Sequence, residues 1–232
     1  LGHLRGDVGI AHTRYKTHGG GGITNAQPFF DPMASLAIAH NGHITNVHQV
    51  EAELAGRGQA LASTCDADAL LRVVALWIEH FRRRDPGAAE RELVFAAIAE
   101  AQQRLTGAFS AVLSTPNGLY AFRDPHGFRP MVLGRRRQAG REAVMVASET
   151  LALEQNGFEV VEEVPHGAAL VIDRELEIEE RVLVQRDPRP CAFELIYFAD
   201  VESRVMGDRI RSFRWRAGRT LAMHLIDTAP EL

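Results

Sequence analysis

The ten residues AIAHNGHITN, positions 37–46, decide how this chain is read. The apolar run over residues 36–39 predicts a short strand, cut off by His40, Asn41 and Gly42. An Asn-Gly pair after a strand favours a tight turn, because both residues accept positive φ. Yet a histidine stands on each side of the pair, and Thr45 and Asn46 follow. The stretch is either a hairpin corner or a set of polar groups that holds something.

Outward from it, the pattern alternates between two periods. Residues 8–13 predict a strand, and residues 14–28 a loop carrying four successive glycines, 19–22. Glycines lose much conformational freedom on ordering, so that loop is expected to move and to be ordered by a ligand or partner. Asn46 is placed as the N-cap of a helix with Val47, Val50 and Leu54 on one face, ended by Gly56. Leu70, Leu71, Val74, Ile78 and Phe81 recur at helical spacing after Asp66, and RRRDPG ends that helix. Leu93, Val94, Ala97, Ile98, Ala101 and Leu105 mark another. After Gly107 the period becomes two: AFSAVLST and LYAFRD flank Pro116-Asn117-Gly118, a hairpin signal. MVLG, AVMVAS, AALVID and LEIEERVLV predict further strands, with a short helix over residues 149–155. Residues 185–190 resemble a linker, and a last helix is expected from about residue 208. Strands, a helix pair and then antiparallel strands predict an α+β layered domain rather than a doubly wound sheet.

Composition bounds the function. The 232 residues are 46% hydrophobic and 24% charged, ample for a globular core. A net charge of -4 speaks against a nucleic-acid partner, and no apolar run approaches a membrane span. Two distant cysteines, Cys65 and Cys191, make no disulfide framework, so a reducing cytoplasm is the default expectation. The chain opens on Leu1 and runs at once into a strand pattern, which predicts a piece cut from a longer protein.

Single motifs stay ordinary on their own. The tetraglycine lacks the surroundings of a phosphate loop, and the ten histidines include no H-E-x-x-H, so no protein-built metal site is expected. Cys65, before a helix start, is either a nucleophile or a small packed residue, and the second reading is preferred. Arg14, at a strand end, has the chemistry to hold a carboxylate through two parallel hydrogen bonds, but alone reads as a surface ion pair. Asp66 alone reads as a helix cap.

Together they say more. GIAHTRYKTHG, NAQPF, AHNGHITN and STCDADALL, in this order and spacing, resemble the glutaminase domain of class II glutamine amidotransferases, of the N-terminal-nucleophile hydrolase type. YAFRDPHGFRPMVLG, VASETLAL and CAFELIYFADVES narrow the resemblance to the amidophosphoribosyltransferase family. The resemblance implies a four-layer αββα sandwich of antiparallel sheets, incomplete at the N-terminus. It implies residues 1–186 as a partial glutaminase domain and residues 187–232 as a linker and the start of a phosphoribosyltransferase domain. It implies Asn41 and Gly42 as an oxyanion hole, and Arg14, Thr17, His18 and Asp66 as the glutamine site. Arg14 would hold the α-carboxylate, Asp66 the α-ammonium, and Thr17 and His18 would lie on the loop that closes over the substrate. Ser63 and Thr64 would orient the Asp66 turn, while Arg123 and Asp124 belong to the framework.

The family's nucleophile is an N-terminal Cys, expected upstream of Leu1, so these residues alone are expected to be inactive. Phosphoribosyl pyrophosphate and its Mg2+ are expected in the portion beyond residue 232. Some relatives carry a [4Fe–4S] cluster with a Cys near Cys191, but one thiol cannot hold one, and no cluster is favoured. A homo-oligomer is expected.

Departures from the pattern are Lys16, the Thr17-His18 pair, ADVES and Cys65. The HTRYKTHG loop also resembles glucosamine-6-phosphate synthase, whereas RDPHGFRP and CAFELIYFADVES oppose that reading. A non-catalytic glutamine-binding module is the alternative of another class, and a ligand-free structural domain is the least supported.

Overall fold

The computed structural model describes residues 6–13 and 22–229. The chain forms two compact units: Leu1–Arg129 with Val164–Arg189, and Pro130–Glu163 with Pro190–Leu232.

The first unit is built on a six-stranded antiparallel sheet. Its strands are β1 (Phe29–Asp31), β2 (Leu36–Ile44), β3 (Gly107–Thr115), β4 (Gly118–Arg123), β8 (Ala168–Asp173) and β9 (Ile178–Val182), in the spatial order β1-β2-β3-β4-β8-β9. Three helices join β2 to β3: α1 (Val47–Ala55), α2 (Asp66–Arg84) and α3 (Glu90–Arg104). The periodicity placed their apolar faces correctly. Leu70, Leu71, Val74 and Ile78 of α2 and Val94, Ala97 and Ile98 of α3 are buried against Ile38, Ile44, Phe109, Leu113 and Phe122 of the sheet. Burying such side chains is worth ~1.5–3 kcal/mol each, which outweighs the weak helix propensity of the valines and isoleucine. Phe109 and Phe122 meet edge to face on adjacent strands, centroids 6.3 Å apart.

The second unit holds a three-stranded antiparallel sheet of β5 (Val132–Gln138), β6 (Arg141–Ala147) and β7 (Glu159–Glu163), in the order β6-β5-β7. With it are α4 (Thr150–Gln155), a π-helical turn (Glu194–Phe198), the two-residue strands β10 (Arg204–Val205) and β11 (Asp208–Arg209), and α5 (Ile210–Thr228). Glu149 and Thr150 anchor the segment before β10. The Glu149 carboxylate accepts from Asp200 N–H at 2.8 Å and from Ser203 Oγ at 2.7 Å, and Thr150 Oγ1 accepts from Arg204 N–H at 2.9 Å.

Several local expectations change. Asn41-Gly42 is not a turn: β2 runs straight through it, with Asn41 opposite Ser110 and Gly42 opposite Phe109 on β3. Tertiary pairing along the whole of β2 overrides the turn preference of the pair. Residues 8–13 do not form a strand; they are mostly exposed, with no neighbouring ladder among the described residues to bury one face. Asn46 does occupy the N-cap position of α1, but its side chain makes no capping bond. Its side chain instead donates to Arg104 O at 2.9 Å and accepts from Thr106 N–H at 2.8 Å, fastening the α3–β3 junction. Strands β1 and β7 had no clear signal. The first is three residues long, and the second reads EVVEE, with its charges masking two exposed valines.

Candidate functional site

Strand β2 carries the polar cluster. His40 is buried, and Asn41 and Gly42 are half-buried beside it. Gly42 has φ of 146°, and a Cβ built there would lie 1.9 Å from Ala108 O on β3. Two positions along, Gly107 on β3 has φ of 145°, and its Cβ would lie 2.2 Å from His43 O. Both strands therefore need glycine where they cross at this close approach. The backbone neighbour demands Gly42, independently of any ligand.

Asp66 opens α2 and faces the same strand. Its Oδ2 accepts from Ile44 N–H at 2.9 Å and lies 3.4 Å from His40 Nε2 and 3.7 Å from His43 Nδ1. Its Oδ1 lies 3.7 Å from Cys65 Sγ. Asp66 is therefore no helix cap; its carboxylate points across to β2. Burial alone would raise its pKa, but His40, the Ile44 N–H and His43 outweigh that and hold the carboxyl at about 2.

Gln27 fixes the His40 ring. Gln27 Oε1 accepts from His40 N–H at 2.6 Å, and since a backbone N–H can only donate, Nε2 must be the other end of that amide. Nε2 in turn donates to His40 O at 3.2 Å and faces His40 Nδ1 at 3.4 Å. The ring is thus set with Nδ1 toward the Gln27 amide and Nε2 toward the Asp66 carboxylate.

The α2 start is held from behind. Asp68 is buried and accepts from the N–H groups of Ala62, at 2.5 Å, and Ser63, at 2.9 Å. Arg72 links Asp68 to Asp31, at 3.4 and 2.6 Å. Ser63 Oγ accepts from Cys65 N–H at 3.1 Å, and Thr64 Oγ1 donates to Asn25 Oδ1 at 3.3 Å, so both contribute to this loop's shape.

The structure thus brings Asn41, Gly42 and Asp66 to one strand and the helix end facing it. Arg14, Thr17 and His18 lie outside the described residues. Cys191 belongs to the second unit and is half-buried; Cys65, in the first, is buried. Among the described residues no group of three or more His, Cys, Asp or Glu is placed to hold a metal ion.

One residue at this site escaped the sequence reading. Arg129, in the turn after β4, donates through Nη2 to Asn41 Oδ1 at 2.6 Å. The two are 88 positions apart, and only the arginine's place in a Gly/Pro-rich turn marked it.

An amide fixed by an arginine, a glycine forced into close approach and a strongly acidic carboxylate, all meeting on one strand, agree with the class to which the comparisons assign the chain. It belongs to the glutamine amidotransferase domain family, whose match covers residues 12–155. It is 34% identical to the amidophosphoribosyltransferase of Pasteurella multocida over 222 residues, 94% of this chain and 44% of that protein. Its identity to the Escherichia coli amidophosphoribosyltransferase is 35% over 223 residues, again 94% of this chain and 44% of the relative. In structure it is similar to the allosteric regulatory enzyme of purine biosynthesis, with a TM-score of 0.70 at 28% identity, covering 86% of this chain and 40% of that one. Against glutamine phosphoribosylpyrophosphate amidotransferase from B. subtilis, complexed with ADP and GMP, the TM-score is 0.68 at 27% identity, with the same coverage. The fold is α+β with antiparallel sheets, of the N-terminal-nucleophile type these relatives share. The chain spans less than half the length of these relatives.

Proposed function

We propose that these residues form the glutamine-hydrolysing part of an amidophosphoribosyltransferase. The observation that carries the reading is the convergence on β2 of Asn41, Gly42 and Asp66, two hydrogen-bond donors and a carboxylate held ionised, within a chain of this family.

In this reading glutamine binds with its α-ammonium on Asp66 and its α-carboxylate on Arg14, and Thr17 and His18 close over it. The thiol of an N-terminal Cys, outside these residues, attacks the side-chain amide carbon, and its proton passes to the cysteine's own α-amino group. The carbonyl oxygen becomes an oxyanion, met by Asn41 Nδ2–H and Gly42 N–H. Two preorganised donors stabilise charge that exists only in the transition state, and losing one typically costs about 10²–10³ in rate. The C–N bond then breaks, and the proton returns from the α-ammonium as ammonia leaves. Water hydrolyses the remaining thioester to glutamate and the free thiol. The ammonia passes to phosphoribosyl pyrophosphate, displacing pyrophosphate to give phosphoribosylamine.

We place the glutaminase portion at residues 1–186 and the opening of the transferase portion at residues 187–232. The second site, with phosphoribosyl pyrophosphate and its Mg2+, is assigned to the portion of the protein outside these residues. A [4Fe–4S] cluster needs four ligands, and Cys191 is the single thiol of the second unit, so these residues alone do not complete one. Homo-oligomerisation and a cytoplasmic setting complete the proposal. Among the described residues no helix is long and apolar enough to cross a membrane.

The test is the full-length protein supplied with glutamine and phosphoribosyl pyrophosphate. Glutamate and pyrophosphate should form in equal amounts, and added ammonia should replace glutamine. Glutamine binding without glutamate formation would instead establish the binding module.

A further inference from the structure

The turn after β4 reaches Asn41 directly and is tied to Phe109, the residue opposite Gly42. Asp124 is fully buried and ties that turn to β3: its N–H donates to Phe109 O at 2.7 Å, and its carboxylate accepts from Phe109 N–H at 3.2 Å. Phe109 is the residue opposite Gly42 in the β2–β3 ladder. With both backbone groups of Phe109 turned to Asp124, that pair is one that exchanges no hydrogen bonds, and Gly42 N–H faces the other edge of β2. There β1 has already ended, since it pairs only with residues 36–38.

The same turn is held rigid from within. Asp124 Oδ1 accepts from His126 N–H at 3.0 Å, and Oδ2 from Phe128 N–H at 3.1 Å. The Arg123 guanidinium donates to the carbonyls of Arg129 at 2.8 Å, Gly127 at 3.1 Å and Val164. The backbone of Arg129 is therefore fixed, and its side chain reaches Asn41 Oδ1 at 2.6 Å. An arginine has donors and no acceptor, so it can bind only the oxygen end of the Asn41 amide. That bond turns the NH2 end away from the arginine. It also sets the amide against the 180° flip that would present oxygen, and repulsion, to a developing oxyanion.

We propose that Arg129 is a positioning residue: it orients the Asn41 amide so that its NH2 serves the oxyanion, within the reading of Asn41 and Gly42 given above. The charge on the guanidinium further polarises the amide and strengthens its N–H as a donor.

The experiment measures glutamine kinetics and thermal melting of the full-length protein in four variants: Arg129→Met, Arg129→Lys, Asn41→Ala and the Asn41→Ala/Arg129→Met double. Arg129→Met should lower glutamine kcat about 10- to 100-fold with KM nearly unchanged, less than losing an oxyanion donor outright. Arg129→Lys, which keeps a cationic donor, should recover part of that loss. The double variant should be no slower than Asn41→Ala alone, because Arg129 acts only through Asn41. Wild-type kcat in Arg129→Met, or losses that multiply in the double variant, would overturn the positioning role while leaving the oxyanion reading intact. An unchanged kcat in Asn41→Ala would remove the oxyanion reading itself, and this inference with it. If Arg129→Met does not fold, Arg129→Gln, shorter and uncharged, is measured in its place: a kcat loss without a KM change supports the role, and wild-type kcat refutes it.

Discussion

Two buried aspartates, Asp66 at the start of α2 and Asp124 just after β4, bind the paired strands β2 and β3 and do opposite work. Asp124 spends both oxygens on backbone N–H groups, those of Phe109, His126 and Phe128. Asp66 takes one, from Ile44, and turns the rest of its carboxylate to two imidazoles and a thiol. A carboxylate saturated by backbone is a girder, because nothing can displace those donors without unfolding the turn. A carboxylate facing titratable side chains is available to a ligand cation. Burial alone does not separate the two; the identity of the partners does.

The comparison breaks most visibly if Asp124 is removed. Asp124→Ala leaves three N–H groups without their acceptor, one of them on fully buried Phe109. A loss of about 3–5 kcal/mol is expected, read as a large fall in the urea midpoint. A fall under 1 kcal/mol would mean the turn is held by Arg123 alone. Asp66→Asn keeps the shape and its hydrogen bond from Ile44, so stability should change less. Glutamine KM should instead rise roughly 100-fold, equal to ~2.7 kcal/mol of binding, with kcat per bound substrate little altered. If KM held and stability collapsed, Asp66 would be a second girder and the α-ammonium role would fall.

How much of this was legible in the sequence follows from range. The faces of α2 and α3 and the hairpin at residues 115–118 are local, and period and turn chemistry marked them. Local preference left a turn open at Asn41-Gly42, because the partner that keeps it extended lies on β3, beyond three helices. Gly42 was marked as a donor by the resemblance, but not the packing reason for a glycine there: the β3 backbone at Ala108 excludes a Cβ. Asp66 looked like a cap because a helix does begin there; only the fold shows its carboxylate aimed at β2. Arg129 stood in a Gly/Pro-rich turn, but no sequence pattern ties it to a residue 88 positions away.

The smallest expected effect sharpens the comparison through pH. The ordinary value for the Asp66 carboxyl is 3.8, and in the folded chain it is held at about 2. A depressed folded value means the ionised form is favoured by folding, so the stabilisation is full above about pH 4 and is lost as pH falls toward 2. The shift corresponds to roughly 2 kcal/mol. Asp66→Asn cannot titrate, so the stability gap between wild type and variant should be constant above pH 4 and close by about that amount between pH 4 and pH 2. Urea titrations at half-unit steps through this window measure it directly. A gap that stays constant to pH 2 would mean His40 and His43 do not hold the carboxylate ionised. Asp66 would then resemble Asp124 in kind, its place set by the Ile44 N–H and not by the imidazoles around it.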